Sequence, residues 1–349
     1  MRPRAMSRRC CVVALLVVAA LALPDPTAAA EAQTALATVL AAYHRLHDEH
    51  LQPLGPEVLL TRALAAAFHQ VRVGRRVPPP VVADVGEAGR PGDGFDLRGD
   101  EARDLQRFQQ AFLLALAGAP HLPPLMVGHA AIRGMTQAYH DPYTRLLDED
   151  GAAGPPVPGR PTVTVRVLDG GLAHLVVPTL AGAVPRQALQ AITALQARGT
   201  RGLILDLRGN GGGPVLGAML LAGPFLPSGP VARARYRSGR TVPYPVLPAR
   251  RFEGGVAVLV DGGTASAAEI LAAALQEAGI PLVGRRTYGK ALVQSVWRLP
   301  DGAILQYTTA RVLTAQGRDL GDHGLAPDVA VARGEDPLAA AAALLRARP

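Results

Sequence analysis

The sequence predicts an α/β fold: a layered core of mixed sheet with flanking helices, preceded by a small all-helical N-terminal domain. Three observations predict it. Through residues 31–75, 101–118 and 125–139, apolar residues recur three and four apart, the period of a helix. Beyond residue 161, short Val/Leu/Ile-rich runs alternate with helical stretches, the grammar of a layered α/β core. Between the two lies "GAAGPPVPGRP" (151–161), a linker by composition. At 349 residues, 49% hydrophobic and 18% charged, the chain has apolar material for two domains and is not a disordered composition. Only 4% is aromatic, so the core must be built mainly from Leu, Val and Ala.

The elements follow in order. "MRPRAMSRR" is a basic start, "CCVVALLVVAALAL" an apolar run, and "PDPTAAAEAQ" ends in an Ala28-x-Ala30 boundary. That three-part pattern is a signal peptide over residues 1–30, too short for a comfortable membrane span. Cleavage after Ala30 implies export, to a periplasmic or extracellular location, without stable membrane insertion afterwards. Cys10 and Cys11 leave with the signal. The mature chain then has no cysteine, which excludes disulfides, thiol catalysis and a cysteine metal site. The formal charge of +8 loses four arginines and one aspartate on cleavage, and no basic helix or aromatic-interleaved basic stripe accompanies the rest. "ARARYRSGR" (232–240) reads as a solvated strand or loop, so nucleic-acid binding is not expected.

Residues 31–150 make the helical domain, with a Pro/Gly-rich loop at 76–100. The core, residues 162–349, opens with strands "TVTVRVL" and "LAHLVVPTL" around Asp169-Gly170-Gly171. "PRQALQAITALQARG" is a helix closed by Gly199. "GLILDLRG" is a buried strand, "GPVLGAMLLAGPFL" a helix, "GGVAVLVDG" another buried strand and "SAAEILAAALQEAG" the helix after it. "QSVWRLPDGAILQYTTARVL" is a hairpin about Asp301-Gly302, and "DPLAAAAALLRAR" a closing helix.

Three segments carry chemistry. In "LILDLRGNGGG" (203–213) an apolar strand runs into a glycine loop whose backbone N–H groups can face a ligand oxygen. It lacks the spacing of the Rossmann and P-loop fingerprints. In "VLVDGGTASAAEI" (258–270) a strand ends at Asp-Gly-Gly and Ser266 stands where a helix begins. A serine there is an N-cap, a small residue at a tight turn, or a nucleophile with the backbone N–H of Ala267 aimed at an oxyanion. The third segment, "TYGKALVQ" (287–294), contains Lys290, the only lysine beside 35 arginines. Lysine can lose its proton when desolvated, whereas arginine cannot, so an amine retained alone in an arginine-rich chain is suited to general-base work. Gln294, four residues on, shares a strand face with it if the strand extends that far. It is otherwise an ordinary exposed glutamine.

Together these segments resemble the C-terminal processing peptidases, or tail-specific proteases, a family of serine endopeptidases with a Ser–Lys catalytic pair. The matching stretches are "LILDLRGNGGG", "GGTASAAEI" and "GRRTYGKALVQ", with "TTARVLTAQGRDLGDHGLAPDV" (308–329) after them and "AAIRGMTQAYHDPYTRLL" (130–147) before. The resemblance covers about 130–330. It implies a nucleophile at Ser266, a base at Lys290 and a lysine-orienting glutamine at Gln294. It places oxyanion donors on the backbones of Ala267 and Gly213, with Glu269 and Asp206 in support. Glu269 is equally a first-turn carboxylate favoured by the helix dipole, and Asp206 a residue that fixes the glycine loop. The implied function is a secreted endopeptidase cleaving protein or peptide substrates near their C-termini by acyl transfer, with no metal or organic cofactor. The helical domain is a candidate for homodimer formation or for binding an adaptor.

The sequence departs from the family pattern in places. Ala268 replaces the second serine of the motif, and Ala291 follows Lys290 where glycine is usual. About 27 residues separate Leu147 from Leu175. A PDZ domain, usual in the family at this point, needs roughly 50 or more. Without it, substrate capture must differ, because a PDZ domain holds C-terminal tails by strand addition. The alternative reading is a non-catalytic ligand-binding protein on the same core. A metal-dependent hydrolase fits poorly, since His44, His47, His140 and His323 show no ligand spacing beside a carboxylate motif.

Overall fold

The computed structural model describes residues 26–74, 97–147, 161–321 and 323–347. Most of the signal-peptide stretch and all of the 151–161 linker except Pro161 lie outside these residues. The chain divides into two units, Met1–Pro155 with Gln294–Thr309, and Pro156–Val293 with Ala310–Pro349. No helix among the described residues is long and apolar enough to cross a membrane.

Among its described residues the first unit is built on four helices, α1 (Pro26–Glu49), α2 (Pro56–Val73), α3 (Glu101–Ala117) and α4 (Pro124–Gln137). Each buries one stripe at helical spacing: Leu36, Val39, Tyr43 and Leu46 on α1, and Leu60, Ala63, Leu64 and Ala67 on α2. Asp100 caps α3 by accepting from the Arg103 N–H at 3.2 Å. The unit is not helical throughout. Strand β1 (Arg145–Leu147) pairs antiparallel with the start of a strand near the C-terminus, Arg145 opposite Gln306. Leu299, Ala303, Leu305 and Tyr307 complete the helical core. That burial is why the hairpin segment 294–309, read from sequence with the downstream core, groups with the helices instead.

The second unit holds a six-stranded sheet. Strands β2 (Thr164–Leu168) and β3 (Leu172–Val176) form the expected hairpin. Then β4 (Gly202–Asp206), β7 (Gly255–Val260), β8 (Leu282–Gly284) and β11 (Val329–Ala330) add in parallel, so spatial order follows chain order. Right-handed crossovers that always step in one direction leave their helices on one face. Accordingly α5 (Val184–Ala197), α6 (Val215–Ala222) and α7 (Ala267–Glu277) share a core with Leu175, Leu203, Leu205, Val258 and Val260. The alternate residues Ile204, Ala257, Leu259 and Val283 face α8 (Pro337–Arg346) on the other side. β4 is buried along its whole length, as a parallel strand covered on both faces must be.

Strands β5 (Pro230–Tyr236) and β6 (Thr241–Pro245) form a second hairpin, against which the later half of β10 (Ile304–Thr314) pairs. The basic run 232–240 therefore enters a sheet, with Ala232 and Ala234 buried between arginines that point outward. Before β10, strand β9 (Leu292–Arg298) follows the Lys290 turn.

Candidate active site

Ser266, Ala267 and Glu269 follow the carboxyl end of β7, and Asp206 and Gly213 stand at or just beyond that of β4, the sheet end at which open α/β folds place their ligand crevices. From β7 the chain passes through Asp261-Gly-Gly-Thr-Ala to Ser266, the residue before α7. The turn is knitted by its own side chains. Asp261 Oδ1 accepts the N–H groups of Gly209 and Gly263, both at 2.9 Å. Thr264 Oγ1 donates to the Leu207 carbonyl at 2.8 Å, tying this turn to the glycine loop after β4.

Ser266 stands at φ 56°, ψ −123°. Ser266 is the N-cap of α7, but an ordinary N-cap residue sits in the β region, so a cap role alone does not set this backbone. Its N–H donates to Glu269 Oε2 at 2.9 Å and its carbonyl accepts the Glu269 and Ile270 N–H groups at 2.9 and 3.1 Å, so Ser266 and Glu269 cap the start of α7 reciprocally. Among the described residues, the only other non-glycine at positive φ is His140. Such a backbone costs about 1–3 kcal/mol and persists only where its surroundings enforce it. A sharp strand-to-helix turn of this kind lifts a serine hydroxyl clear of the sheet.

The glycine loop lies against this elbow. Asn210 is fully buried; its Nδ2 donates to the Val177 carbonyl at 2.8 Å and its Oδ1 accepts the Gly212 N–H at 2.8 Å. The Ala265 N–H returns to the Asn210 carbonyl at 2.9 Å. A Cβ on Gly212 would stand 2.7 Å from the Ala265 carbonyl and 2.9 Å from the Ala267 nitrogen, so only glycine lets the loop approach this closely. Gly213 follows at φ 145°. The N–H groups of Ala267 and Gly213 donate to no acceptor among the described residues, which leaves both for a ligand oxygen.

Glu269 joins the elbow to the lysine turn. Only 2% exposed, its carboxylate accepts four hydrogen bonds. Oε2 takes the N–H of Ser266 and of Lys290, each at 2.9 Å, and Oε1 takes the Gly289 N–H at 2.7 Å and the Thr287 hydroxyl at 2.5 Å. Thr287 Oγ1 in turn accepts the Leu325 N–H at 2.7 Å, fastening the "GLAPD" segment to the same turn. Lys290 itself is half-buried. β9 begins two residues after it, so Gln294 lies on the strand and Lys290 just before it. Gln294 is the first residue of the segment that groups with the first unit, and its Nε2 is buried with no acceptor among the described residues.

Asp206 ends β4 on the face turned toward α8. It accepts from Arg208 Nε at 2.9 Å, Arg208 Nη2 at 2.6 Å and the Arg208 N–H at 3.0 Å, and pairs with His174 Nε2 at 2.9 Å. Burial alone would raise its pKa, but the bonds from Arg208 and His174 outweigh burial and hold the carboxyl below its usual range. Its contacts are with the strand end and loop start, and none is with Ser266. Asn210 and Thr287 were not singled out from sequence. The signals were present: Asn210 is the one side chain in a run of glycines, and Thr287 opens the lysine motif.

An elbow serine beside two unclaimed N–H groups, with a lysine turn fastened to the same carboxylate, is an arrangement of the serine-peptidase type. Residues 171–331 match the model of Peptidase family S41. The carboxy-terminal processing protease CtpA of Bacillus subtilis is 34% identical over 170 residues, 48% of this chain and 36% of that protein. The carboxyl-terminal-processing protease of Synechocystis is 37% identical over 154 residues, 44% of this chain and 35% of that protein. The aligned segment thus spans about a third of the length of these curated relatives. The solved photosystem II D1 C-terminal processing protease shares the fold, with a TM-score of 0.60 at 19% identity, covering 90% of this chain and 98% of that one. A lipoprotein from Streptococcus agalactiae matches with a TM-score of 0.56 at 19% identity, covering 86% of this chain and all of that one.

Proposed function

We propose that this protein is an exported serine endopeptidase that cleaves protein substrates near their C-termini with Ser266 as nucleophile and Lys290 as general base. The observation that carries the reading is the shared carboxylate. Glu269 holds the strained Ser266 backbone and the Lys290 backbone through one oxygen atom. The neutral Lys290 amine takes the Ser266 hydroxyl proton as Oγ bonds to the substrate carbonyl carbon. The carbonyl oxygen becomes an oxyanion, stabilised by the Ala267 and Gly213 N–H groups. The intermediate collapses, the C–N bond breaks, and the Lys290 ammonium returns its proton to the departing amine. The neutral Lys290 amine then takes a proton from water as that water bonds to the acyl carbon; the ester C–O bond to Ser266 breaks, and the Lys290 ammonium returns the proton to Ser266 Oγ. The identities of the curated relatives support the preference for C-termini, and the basic-apolar-small N-terminal pattern supports export.

A fluorophosphonate probe, which labels activated serines, tests this on the purified chain. Labelling should require both Ser266 and Lys290. A folded chain that takes no label and cleaves no unstructured peptide would point instead to a binding protein on this core.

A further inference from the structure

A cavity of about 450 Å³ opens at the carboxyl ends of β4, β7, β8 and β11. It lies on the α8 face of the sheet, because its lining residue Asp206 follows Ile204 by two positions on β4 and Ile204 packs toward α8. The Ser266 turn leads to α7 on the opposite face. The volume is within the usual range for small-molecule sites, ~300–1,000 Å³.

Six charged residues line the cavity: Asp206, Asp261 and Glu335 against Arg208, Arg285 and Arg333. The carboxylates are already engaged. Asp206 is held by Arg208 and His174, Asp261 Oδ1 by the Gly209 and Gly263 N–H groups, and Glu335 Oε2 by the Ala332 N–H at 3.0 Å. The N-terminus of α8 is engaged as well, since Asp336 accepts from the Leu338 N–H at 2.9 Å. Two cations remain. The side chains of Arg285 and Arg333 are exposed and have neither ion-pair nor hydrogen-bond partner among the described residues. What the cavity lacks is therefore an acceptor that matches a guanidinium fork, a carboxylate or a phosphate. Three native carboxylates in the same wall oppose a dianion, which favours the carboxylate. Val331 and Pro337 supply an apolar wall beside the arginines.

We propose that this cavity binds a monoanionic carboxylate carried on a short apolar body, with Arg285 and Arg333 as its anchors. Either a peptide C-terminus or a free organic acid offers that chemistry. The proposal concerns binding alone and does not depend on Ser266 being a nucleophile.

Calorimetric titration of the full chain carrying Ser266→Ala, which silences turnover, tests it. The probes are N-acetyl-Ala-Val, its C-terminal amide, isovalerate and inorganic phosphate. N-acetyl-Ala-Val should bind, and amidation should weaken it by about tenfold or more, the loss of a charge-assisted fork. Adding Arg285→Gln and Arg333→Gln should weaken the free acid by a similar factor, and circular dichroism should show these exposed substitutions leaving the fold intact. Isovalerate binding as tightly as the dipeptide assigns the site to free acids; dipeptide binding alone assigns it to peptide termini. Equal binding of acid and amide, tighter binding of phosphate, absence of any carboxylate binding, or undiminished binding to the folded double arginine variant each overturns the proposal.

Discussion

The carboxylate of Glu269 holds the Lys290 N–H at 2.9 Å on the same oxygen that receives the Ser266 N–H. Twenty-three residues of chain, including all of α7, lie between Ser266 and Lys290, yet one buried atom sets their backbones together. Glu269→Gln keeps the size but turns one oxygen into an NH2 group. With its NH2 on the Oε2 side the amide faces the Ser266 and Lys290 N–H groups and breaks two bonds; on the Oε1 side it faces the Gly289 N–H and breaks one, because the Thr287 hydroxyl can turn to accept. Turnover should fall about 10²-fold through misplacement of the reacting groups, with KM little changed. Stability should fall by about 1–3 kcal/mol. Steady-state kinetics beside urea unfolding separates the two effects, and lowered stability with near-native kcat would make Glu269 a structural staple only.

The backbone of Ser266 predicts an unusual ordering of two inactive variants. At φ 56° a side chain is strained, and glycine is not. Ser266→Ala keeps the strain, whereas Ser266→Gly relieves about 1–3 kcal/mol of it against about 1 kcal/mol of added backbone entropy. The glycine variant should melt at or above the alanine variant, although glycine ordinarily destabilises. Calorimetric melting of both decides it, and a clearly lower Tm for Ser266→Gly would mean the elbow stores no strain.

The first unit offers a test by pH. Asp141 of the "DPYT" motif accepts from the hydroxyls of Thr144 at 2.7 Å and Thr308 at 2.6 Å and from the Tyr143 N–H at 2.9 Å, with His50 Nε2 3.6 Å away. Burial would raise its pKa, but the bonds from His50, Thr308, Thr144 and Tyr143 outweigh burial and hold the carboxyl well below its usual range. A depressed folded-state pKa contributes stability that is present above the unfolded value near ~3.9 and lost as pH falls through the folded one. Asp141→Asn should therefore melt lower than the parent at pH 7, and the gap should narrow below about pH 4. A gap equally wide at pH 3 would show that the charge is not what stabilises the motif.

Legibility from sequence followed the range of the interactions. β4 and β7 were readable because a strand buried on both faces is a run of apolar residues, and α7 because its apolar positions repeat locally. Ser266 and Lys290 were readable as residue types at turns. β8 and β11, three and two residues long, carry too little period to register. The grouping of residues 294–309 with the helical unit depends on Arg145 pairing with Gln306 across nearly half of the chain, which no local pattern encodes. The strain at Ser266 was hidden for a related reason. A backbone angle is enforced by neighbours such as Gly212 and Glu269 rather than by the serine itself.

The sole lysine gives the sharpest test of the mechanism. Lys290→Arg keeps the charge and most of the size, in a chain that meets its other cationic needs with 35 arginines. The Glu269 contact is to the Lys290 backbone N–H, so the substitution leaves the turn's fastening intact. If Lys290 served only as a cation, the variant should be nearly silent. A general base must be neutral when it takes the serine proton, and arginine cannot supply that state. Turnover on an unstructured peptide should then fall about 10²–10⁴-fold, the usual loss on removing a positioned base. Labelling by the fluorophosphonate should slow in parallel, while thermal melting stays close to that of the parent. Measured beside Ser266→Ala, a well-folded Lys290→Arg with near-native turnover would mean the amine is not the base, and the Ser–Lys mechanism would have to be abandoned.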